Sequence, residues 1–268
     1  LGSATPSQET YFNAVSGKYG LVELNDRYGD VQLPPIELID TRKLMQKDRA
    51  KIMISPKLAE AIQEVLDRKR QVILFQNRRG YDPYQVCTVC GWIPQCKHCD
   101  VSLTYHKLSN KLVCHYCGTS YPPVHTCAAC GSDRFSQRNF GTEKIEEQLQ
   151  EQFPEAKIAR MDVDTVRGKH AHDAMIQQFE QARVDILVGT QMVVKGLDFD
   201  NVDLVGILDA DGLLHFADFR VNERAFQLME QVSGRAGRKE ATGKVLIQTS
   251  NPTDRTLMRV QQHDYKSM

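Results

Sequence analysis

The hydrophobic positions of this 268-residue chain follow two alternating patterns. Short runs of consecutive apolar residues are typical of strands buried on both faces, and apolar residues at every third or fourth position are typical of amphipathic helices. The runs predict strands at residues 20–24, 36–39, 71–75, 157–161, 184–188, 202–208 and 244–249. Because strands and helices alternate, the pattern predicts an α/β fold, in which helices cover both faces of a parallel sheet.

The predicted helices fill the intervals between these strands. Ser55 and Pro56 are a favourable N-cap and first-turn pair. Apolar residues follow them at helical spacing: Leu58, Ala61, Ile62, Val65 and Leu66. Thr142 is a candidate cap for a helix that carries Ile145, Leu149 and Phe153. Further helices are predicted at residues 169–181, 191–194, 222–232 and 253–263, whereas the polar residues 1–18 predict a loop.

The alternation stops at about residue 81 and resumes at Gly141, and the interval is rich in cysteine. All eight cysteines of the chain lie there, in four Cys-x-x-Cys pairs: Cys87/Cys90, Cys96/Cys99, Cys114/Cys117 and Cys127/Cys130. Two residues between thiols allow one turn to direct both sulfur atoms at one ion, and a tetrahedral zinc needs two such turns. Four pairs therefore predict two structural Zn²⁺ sites, in preference to a disulfide framework.

The spacing of the pairs indicates which of them share an ion. The spacers hold five, fourteen and nine residues. Within the longest spacer, an alternating run at 101–105, a turn at Ser109-Asn110 and an apolar pair at 112–113 predict a hairpin. A hairpin closes the two inner pairs on each other and leaves the two outer pairs to meet. This nested arrangement gives one zinc to Cys87, Cys90, Cys127 and Cys130 and the other to Cys96, Cys99, Cys114 and Cys117. Pairing of consecutive motifs is the alternative.

Four histidines of the interval are further possible ligands: His98, His106, His115 and His125. Eight thiolates already fill two tetrahedral sites, so we expect no histidine to bind the metal. The interval contains few large apolar residues, which predicts that it needs metal in order to fold.

Charge limits how the chain can bind nucleic acid. The formal net charge is zero, so any contact with nucleic acid must be local. The formal charge of residues 81–135 is plus one, and two sites of one Zn²⁺ and four thiolates each lower it to about minus three. A negative charge disfavours binding to the phosphates of nucleic acid. Aromatic residues of the interval could stack on bases or pack around the metal: Trp92, Tyr105, Tyr116 and Tyr121. We therefore favour a scaffold or protein-docking role.

Three polar stretches lie near the predicted strands. Residues 76–80 and 189–198 each follow a strand, where ligands of parallel sheets bind, and residues 231–238 close the helix before the last strand. The last stretch contains Arg235 and Arg238, and guanidinium groups stabilise charge on a transferring phosphoryl group. A solvated helix end is the alternative for two arginines alone. The surrounding Gln-x-x-Gly-Arg-x-Gly-Arg favours the phosphoryl role.

These stretches resemble motifs of superfamily 2 helicases. Residues 231–238 resemble motif VI, residues 189–198 resemble motif V, and Ser3-Ala4-Thr5 resembles motif III. Their order and spacing resemble a second RecA-like lobe. The cysteine-rich interval after Asn77-Arg-Arg-Gly-Tyr81 narrows the resemblance to the PriA family of bacterial primosomal helicases, over nearly the whole chain. That family resemblance also implies the nested pairing of the cysteines.

The resemblance implies an ATP-dependent DNA helicase of 3′ to 5′ polarity that restarts stalled replication forks and assembles the primosome. It implies branched and single-stranded DNA, primosome proteins and single-strand-binding protein as partners, ATP and Mg²⁺ as cofactors, and a cytoplasmic location at the bacterial nucleoid. Arg235 and Arg238 would reach the ATP γ-phosphate. Residues at the nucleotide cleft would be Gly196, Asp198 and Gln231. Residues near DNA would be Arg78, Arg79, Thr190 and Lys195.

The sequence lacks the parts of a motor that hold phosphates. The Gly-Lys pairs at 17–18, 168–169 and 243–244 are not followed by Ser or Thr, so none completes a phosphate-binding loop, and there is no Asp-Glu-x-His box. The acidic pair Asp209 and Asp211 is expected to end a strand. We therefore expect the chain to be part of a longer motor and to hydrolyse no ATP alone.

The predicted organisation has four segments. Residues 1–18 would end a motif III region and form a linker, 19–80 and 141–268 would form the lobe, and 81–140 would be a zinc-binding insertion. The competing hypotheses are a zinc-scaffolded protein or DNA adaptor without motor function, and a redox protein that uses its Cys-x-x-Cys pairs.

Overall fold

The computed structural model describes residues 2–24, 32–42, 53–76, 84–99, 101–106, 110–114, 116–138, 142–162, 169–193, 199–215, 218–237 and 243–268. The strands are β1 (Ile36–Asp40), β2 (Gln71–Phe75), β3 (Tyr84–Cys87), β4 (Thr104–His106), β5 (Lys111–Val113), β6 (Ser120–Tyr121), β7 (Phe135–Arg138), β8 (Ile158–Met161), β9 (Ile186–Gly189), β10 (Val202–Ile207) and β11 (Lys244–Thr249). The helices are α1 (Gln8–Val15), α2 (Pro56–Asp67), α3 (Thr142–Gln152), α4 (Lys169–Glu180), α5 (Ala210–Leu214), α6 (Val221–Ser233) and α7 (Arg255–Gln261), with a 3₁₀ turn at Gln191–Val193.

Six of the described strands form one parallel sheet in the order β1-β11-β10-β2-β9-β8. Parallel neighbours need crossover connections, and the helices between the strands supply them. The α/β class is therefore confirmed, and six of the seven predicted strands lie within two residues of their predicted bounds.

Each face of the sheet carries its own apolar core. Along β2, Ile73 and Phe75 point to one face, where they join residues of α4, α6 and α7. Val72 and Leu74 point to the other face, where they join residues of α2 and α3. Alternation along a strand sends neighbouring side chains to opposite faces, so an unbroken apolar run is buried on both. No helix in the described ranges has the length and apolar character that a membrane span requires.

The start of α2 follows the predicted capping pattern. The Ser55 side chain accepts a hydrogen bond from the Leu58 amide at 3.3 Å, which satisfies a donor in the first turn. The Ser55 amide in turn donates to Oε1 of Gln248 at 2.7 Å, which joins this helix start to β11. Thr142, in contrast, is the first residue of α3, and its hydroxyl donates to the buried Asp162 at 2.5 Å.

Two predictions for the first residues of the chain were wrong. The segment predicted as a loop contains α1, whose N-cap Ser7 accepts from the Thr10 amide. Residues 20–24, predicted as a strand, pair with no strand in the described part of the chain, and Val22 and Leu24 are 84% and 90% exposed. An apolar run becomes a strand only where a partner satisfies its backbone groups.

The interval between β2 and α3 forms a separate unit, here called the cysteine-rich module (residues 84–138). Its two ends come together because β3 and β7 pair as antiparallel strands. The predicted hairpin is confirmed as β4 and β5, with Tyr105 opposite Leu112, and β6 adds a third strand. The hairpin turn lies partly outside the described residues, and Asn110 at its end has a left-handed φ of 48°.

Candidate metal centre and phosphoryl-site residues

The eight cysteines of the module form two clusters. One cluster consists of Cys87, Cys90, Cys127 and Cys130, and the other of Cys96, Cys99, Cys114 and Cys117. Within each cluster the four sulfur atoms lie within 4.8 Å of one another. The clusters follow the nested arrangement, because the β3–β7 pair joins the outer motifs and the β4–β5 hairpin joins the inner ones.

The sulfur–sulfur distances fit a tetrahedral ion. A Zn–S bond of about 2.3 Å places two ligand sulfurs about 3.8 Å apart in a regular tetrahedron. The distances are 3.7 Å between Cys87 and Cys130 and 3.5 Å between Cys90 and Cys127. In the second cluster, Cys96 and Cys117 are 3.7 Å apart. None of the eight cysteines forms a disulfide. A set of four soft sulfur donors at this spacing suits Zn²⁺.

Tight turns at three of the four pairs aim the thiols. Gly91, Gly118 and Gly131 each follow the second cysteine of a pair and have φ values of 80°, 76° and 72°. Each donates its amide to the carbonyl of the first cysteine at 2.8–2.9 Å. A left-handed residue at this position suits glycine, which lacks a Cβ.

The thiols within a cluster differ in acidity. In the inner cluster, burial raises the pKa of Cys99 to about 12, and hydrogen bonding with Cys117 and Cys114 acts in the same direction. The Thr119 hydroxyl, 3.1 Å from the sulfur, is the main cause that lowers the pKa of Cys117 to about 6. Protein groups alone therefore do not stabilise four thiolates in one cluster, and a divalent cation would supply the missing positive charge.

Three of the four aromatic residues considered for base stacking make contacts within the module. The Tyr121 hydroxyl lies 3.3 Å from the Cys96 sulfur and accepts from the Lys97 amide. Tyr105 is buried and donates to Asn110, and Trp92 packs edge-to-face against Phe135. Tyr116 differs, because it is 64% exposed. Packing around the metal sites thus accounts for three of the four.

The polar residues at the carboxyl ends of the strands lie at one edge of the sheet. The Gln76 amide donates to the Gly189 carbonyl at 2.9 Å, which joins the ends of β2 and β9. Thr190 follows β9 and is buried, and its amide donates to Met161 at the end of β8. The other residues predicted near DNA lie outside the described residues: Arg78, Arg79 and Lys195.

Arg235 lies near the opposite edge. It follows the end of α6, and two residues later the Gly237 amide donates to the Val202 carbonyl at 2.9 Å, at the amino end of β10. β10 has six residues, so at about 3.3 Å per residue the two edges are about 20 Å apart. Gln231 is exposed on α6. Gly196, Asp198 and Arg238 lie outside the described residues.

Close packing and an ion pair fix this amino edge. A Cβ on Gly243 would overlap the backbone of Gly237, so the two glycines pack directly. Nearby, the buried Asp203 accepts from Nε of Arg70 at 3.0 Å, and Arg70 also bonds Asn201 and the carbonyl of Asp200. Sequence motifs did not reveal Arg70 and Asp203, because their partners are more than a hundred residues apart in the chain.

The acidic pair after β10 has two structural roles. Asp209 caps α5 by accepting from the Gly212 amide at 3.1 Å. Asp211 is buried and accepts three hydrogen bonds, from the Thr249 hydroxyl and from the amide and hydroxyl of Ser250. The expectation that this pair is structural agrees with these contacts, although the link to β11 was not predicted.

Family models match two parts of the chain. Residues 96–122 match the Cys-rich region of the PriA DNA helicase, and residues 135–240 match a helicase conserved C-terminal domain. The first match covers the inner thiol cluster of the cysteine-rich module, and the second runs from β7 to the segment after α6.

Curated relatives match along the whole chain. The replication restart protein PriA of Bacillus subtilis is 45% identical over 267 residues, which cover 100% of this chain and 33% of that protein. PriA of Treponema pallidum is 39% identical and covers 100% of this chain and 40% of that protein. The chain thus spans about a third of the length of the curated relatives it matches.

Solved structures support the fold. RecG bound to a three-way DNA junction superposes with a TM-score of 0.53 at 13% identity, covering 99% of this chain and 25% of that chain. At this identity the likeness concerns the fold alone.

Proposed function

We propose that the chain corresponds to part of a PriA protein, as the second motor lobe and zinc-binding module of an ATP-dependent DNA helicase. The helicase would move 3′ to 5′, restart stalled replication forks and assemble the primosome. The observation that carries the proposal is the position of two four-cysteine clusters in a module inserted between β2 and α3, in a chain whose residues 135–240 match the helicase C-terminal domain.

Each thiol cluster would hold one structural Zn²⁺, with the ligands grouped as the clusters are. Zinc would supply a tetrahedral centre that closes the module, and no substrate would bind to it. The ligands are Cys87, Cys90, Cys127 and Cys130 for one ion and Cys96, Cys99, Cys114 and Cys117 for the other.

Arg235 and Arg238 would neutralise charge on the γ-phosphate of ATP, bound with Mg²⁺ by a first lobe. Gly196, Asp198 and Gln231 would line the nucleotide cleft. Support for this assignment comes from the rigid placement of Arg235, because Gly237 is bonded to β10 and packed against Gly243. A preorganised guanidinium group stabilises developing charge without reorganisation during the reaction.

DNA would bind through Arg78, Arg79, Thr190 and Lys195, of which Thr190 lies at the other edge of the sheet. Thr190 is buried, so its contribution would be limited to a small accessible part of the residue. The separation of about 20 Å between the edges means that Arg235 and Thr190 would act at different ends of the strands. Forks, single strands, primosome proteins and single-strand-binding protein would be the partners, at the bacterial nucleoid in the cytoplasm.

The chain alone would hydrolyse no ATP, because its arginines would have no phosphate site to complete. In a protein that joins this chain to a first lobe, Arg235→Ala should lower DNA-stimulated ATP hydrolysis on the order of 10³-fold. Zinc content should stay at two ions per chain. The control is Arg255→Ala, which removes an exposed arginine at the start of α7 and should leave hydrolysis unchanged.

The same measurement distinguishes the adaptor hypothesis. A zinc-scaffolded adaptor would bind its partner equally well with and without the guanidinium group of Arg235, and ATP hydrolysis would not depend on this residue. Equal ATP hydrolysis in the Arg235→Ala and Arg255→Ala proteins, or DNA-stimulated hydrolysis by the chain alone, would therefore contradict the motor assignment.

A further inference from the structure

The cysteine-rich module contacts the sheet at the carboxyl end of β11. Gly91 directly follows Cys90 in the outer thiol cluster, and it faces Ser250, the residue after β11. A Cβ on Gly91 would lie 3.1 Å from the Ser250 carbonyl oxygen and 3.3 Å from its hydroxyl oxygen. These distances are shorter than ordinary van der Waals contact, so the present approach depends on glycine.

Ser250 has little freedom to move away from the module. Its amide and hydroxyl donate to Oδ2 of Asp211 at 2.8 and 2.6 Å, and the adjacent Thr249 hydroxyl donates to Oδ1 at 2.6 Å. Asp211 belongs to α5 and is 1% exposed. Displacing Ser250 would leave buried polar groups without these bonds, which is costly in a low-dielectric interior.

The other end of α5 contacts the inner part of the module. His215 follows α5, and its Nδ1 lies 3.4 Å from the Ser102 hydroxyl. Ser102 in turn forms an isolated β-bridge with Gln95, next to Cys96. The five-residue helix and His215 after it therefore connect to residues beside both thiol clusters, through Ser250 on one side and Ser102 on the other.

We propose that α5 and Ser250 form a rigid joint that holds both thiol clusters in a defined orientation to the sheet, with Asp211 as its positioning residue. α5 directly follows β10, and the amino end of β10 holds Gly237 of the Arg235 segment. The joint thus connects the module to the strand that fixes the phosphoryl-site arginine. The consequence of this joint rests on the proposed function: the joint transmits motion of the lobe during ATP hydrolysis to the module.

Two glycines provide a matched test of the joint. Gly91 and Gly118 occupy the same position in their turns, with φ values of 80° and 76° and the same amide bond to the first cysteine. Alanine adds similar backbone strain at both positions, but Gly118 has no atom of another part of the described chain within 4 Å of a Cβ. The difference between the two alanine variants therefore isolates the contact with Ser250.

The first measurement is amide hydrogen exchange of the zinc-loaded chain, followed by mass spectrometry of the peptide that contains Ser250. Gly91→Ala should accelerate exchange at Ser250 at least about tenfold relative to Gly118→Ala, since it displaces bonds to a buried carboxylate. Asp211→Asn should act in the same direction, because an amide has one acceptor oxygen where the carboxylate has two. Equal exchange in the Gly91→Ala and Gly118→Ala proteins would overturn the joint. If Gly91→Ala fails to bind zinc, Asp211→Asn becomes the deciding variant, and exchange is then followed in the peptide that contains Gly91, where unchanged exchange would overturn the joint.

The second measurement uses a protein that joins this chain to a first lobe. Gly91→Ala should lower the number of base pairs separated per ATP by about threefold, with ATP hydrolysis unchanged, whereas Gly118→Ala should preserve both. Equal unwinding per ATP in the two variants would overturn the transmission of motion. If the unmodified protein hydrolyses no ATP, the proposed function fails, and the exchange experiment still decides whether the joint exists.

Discussion

The sheet and the cysteine-rich module differ in what stabilises their folded structure. The sheet has an apolar core on each face, built from strands and from helices that pack on them. The largest apolar cluster of the module is small, and it gathers around two of the thiols: Cys96, Val101, Leu103, Tyr105, Leu112 and Cys114. Chain ordering costs about 1–2 kcal/mol per residue in backbone entropy, and a cluster of this size offsets little of it. The comparison indicates that the module depends on metal and the sheet does not.

Removal of zinc should have the largest effect and should separate the two regions. A structural zinc site contributes on the order of 10 kcal/mol of folding free energy, so a chelator should unfold the module. Hydrogen exchange should then become fast in residues 84–138, while β10 and β11 keep their protection. The difference between the two regions would be contradicted if the module kept its protection after two zinc ions had been removed, or if the sheet lost protection to the same extent.

A cavity in the core of the sheet should give the next largest effect, in the opposite region. Leu149 on α3 is fully buried, so Leu149→Ala should lower the free energy of unfolding of the sheet by about 2–5 kcal/mol. The measurement is urea unfolding followed by far-ultraviolet circular dichroism, and the chain should still bind two zinc ions. As a control, Leu24→Ala changes an exposed leucine and should shift the free energy by less than about 0.5 kcal/mol. Equal shifts for the two variants would contradict this assignment of the core.

The smallest predicted effect concerns the helix caps. Ser55→Ala removes the acceptor for the Leu58 amide at the start of a helix packed on the sheet, and should cost about 1 kcal/mol. Ser7→Ala removes the corresponding cap of α1, a helix that buries none of its residues. Its effect on the unfolding of the sheet should be smaller than that of Ser55→Ala in the same urea experiment. A larger effect of Ser7→Ala would mean that α1 stabilises the sheet.

The strands of the sheet and the hairpin of the module could be predicted because their signals are local. The apolar run of β2 and the cap at Ser55 each depend on a few adjacent residues. The run at residues 20–24 has the same local signal, yet the structure shows no strand there. A strand requires a partner, and the presence of a partner is not a local property.

The candidate sites show the same division. The spacing of the cysteines predicted two clusters and their nested grouping, because a short loop limits which sulfur atoms can meet. The motifs also pointed to Arg235 and Thr190, but only the strand direction shows that they lie near opposite edges of the sheet. Asp211 carried only a weak signal as an acidic residue after a strand, and its partners Thr249 and Ser250 were not predicted.

The sequence by itself therefore determined the α/β class, the two sets of four thiols and the motif that contains Arg235. Each of these depends on periodicity or spacing along a short stretch of chain. Only the tertiary structure decided the order of the strands, the edge at which each polar residue lies, and the contacts of Gly91, Asp211 and Ser250. Those contacts join residues far apart in the chain, and their geometry is set by packing that no local pattern encodes.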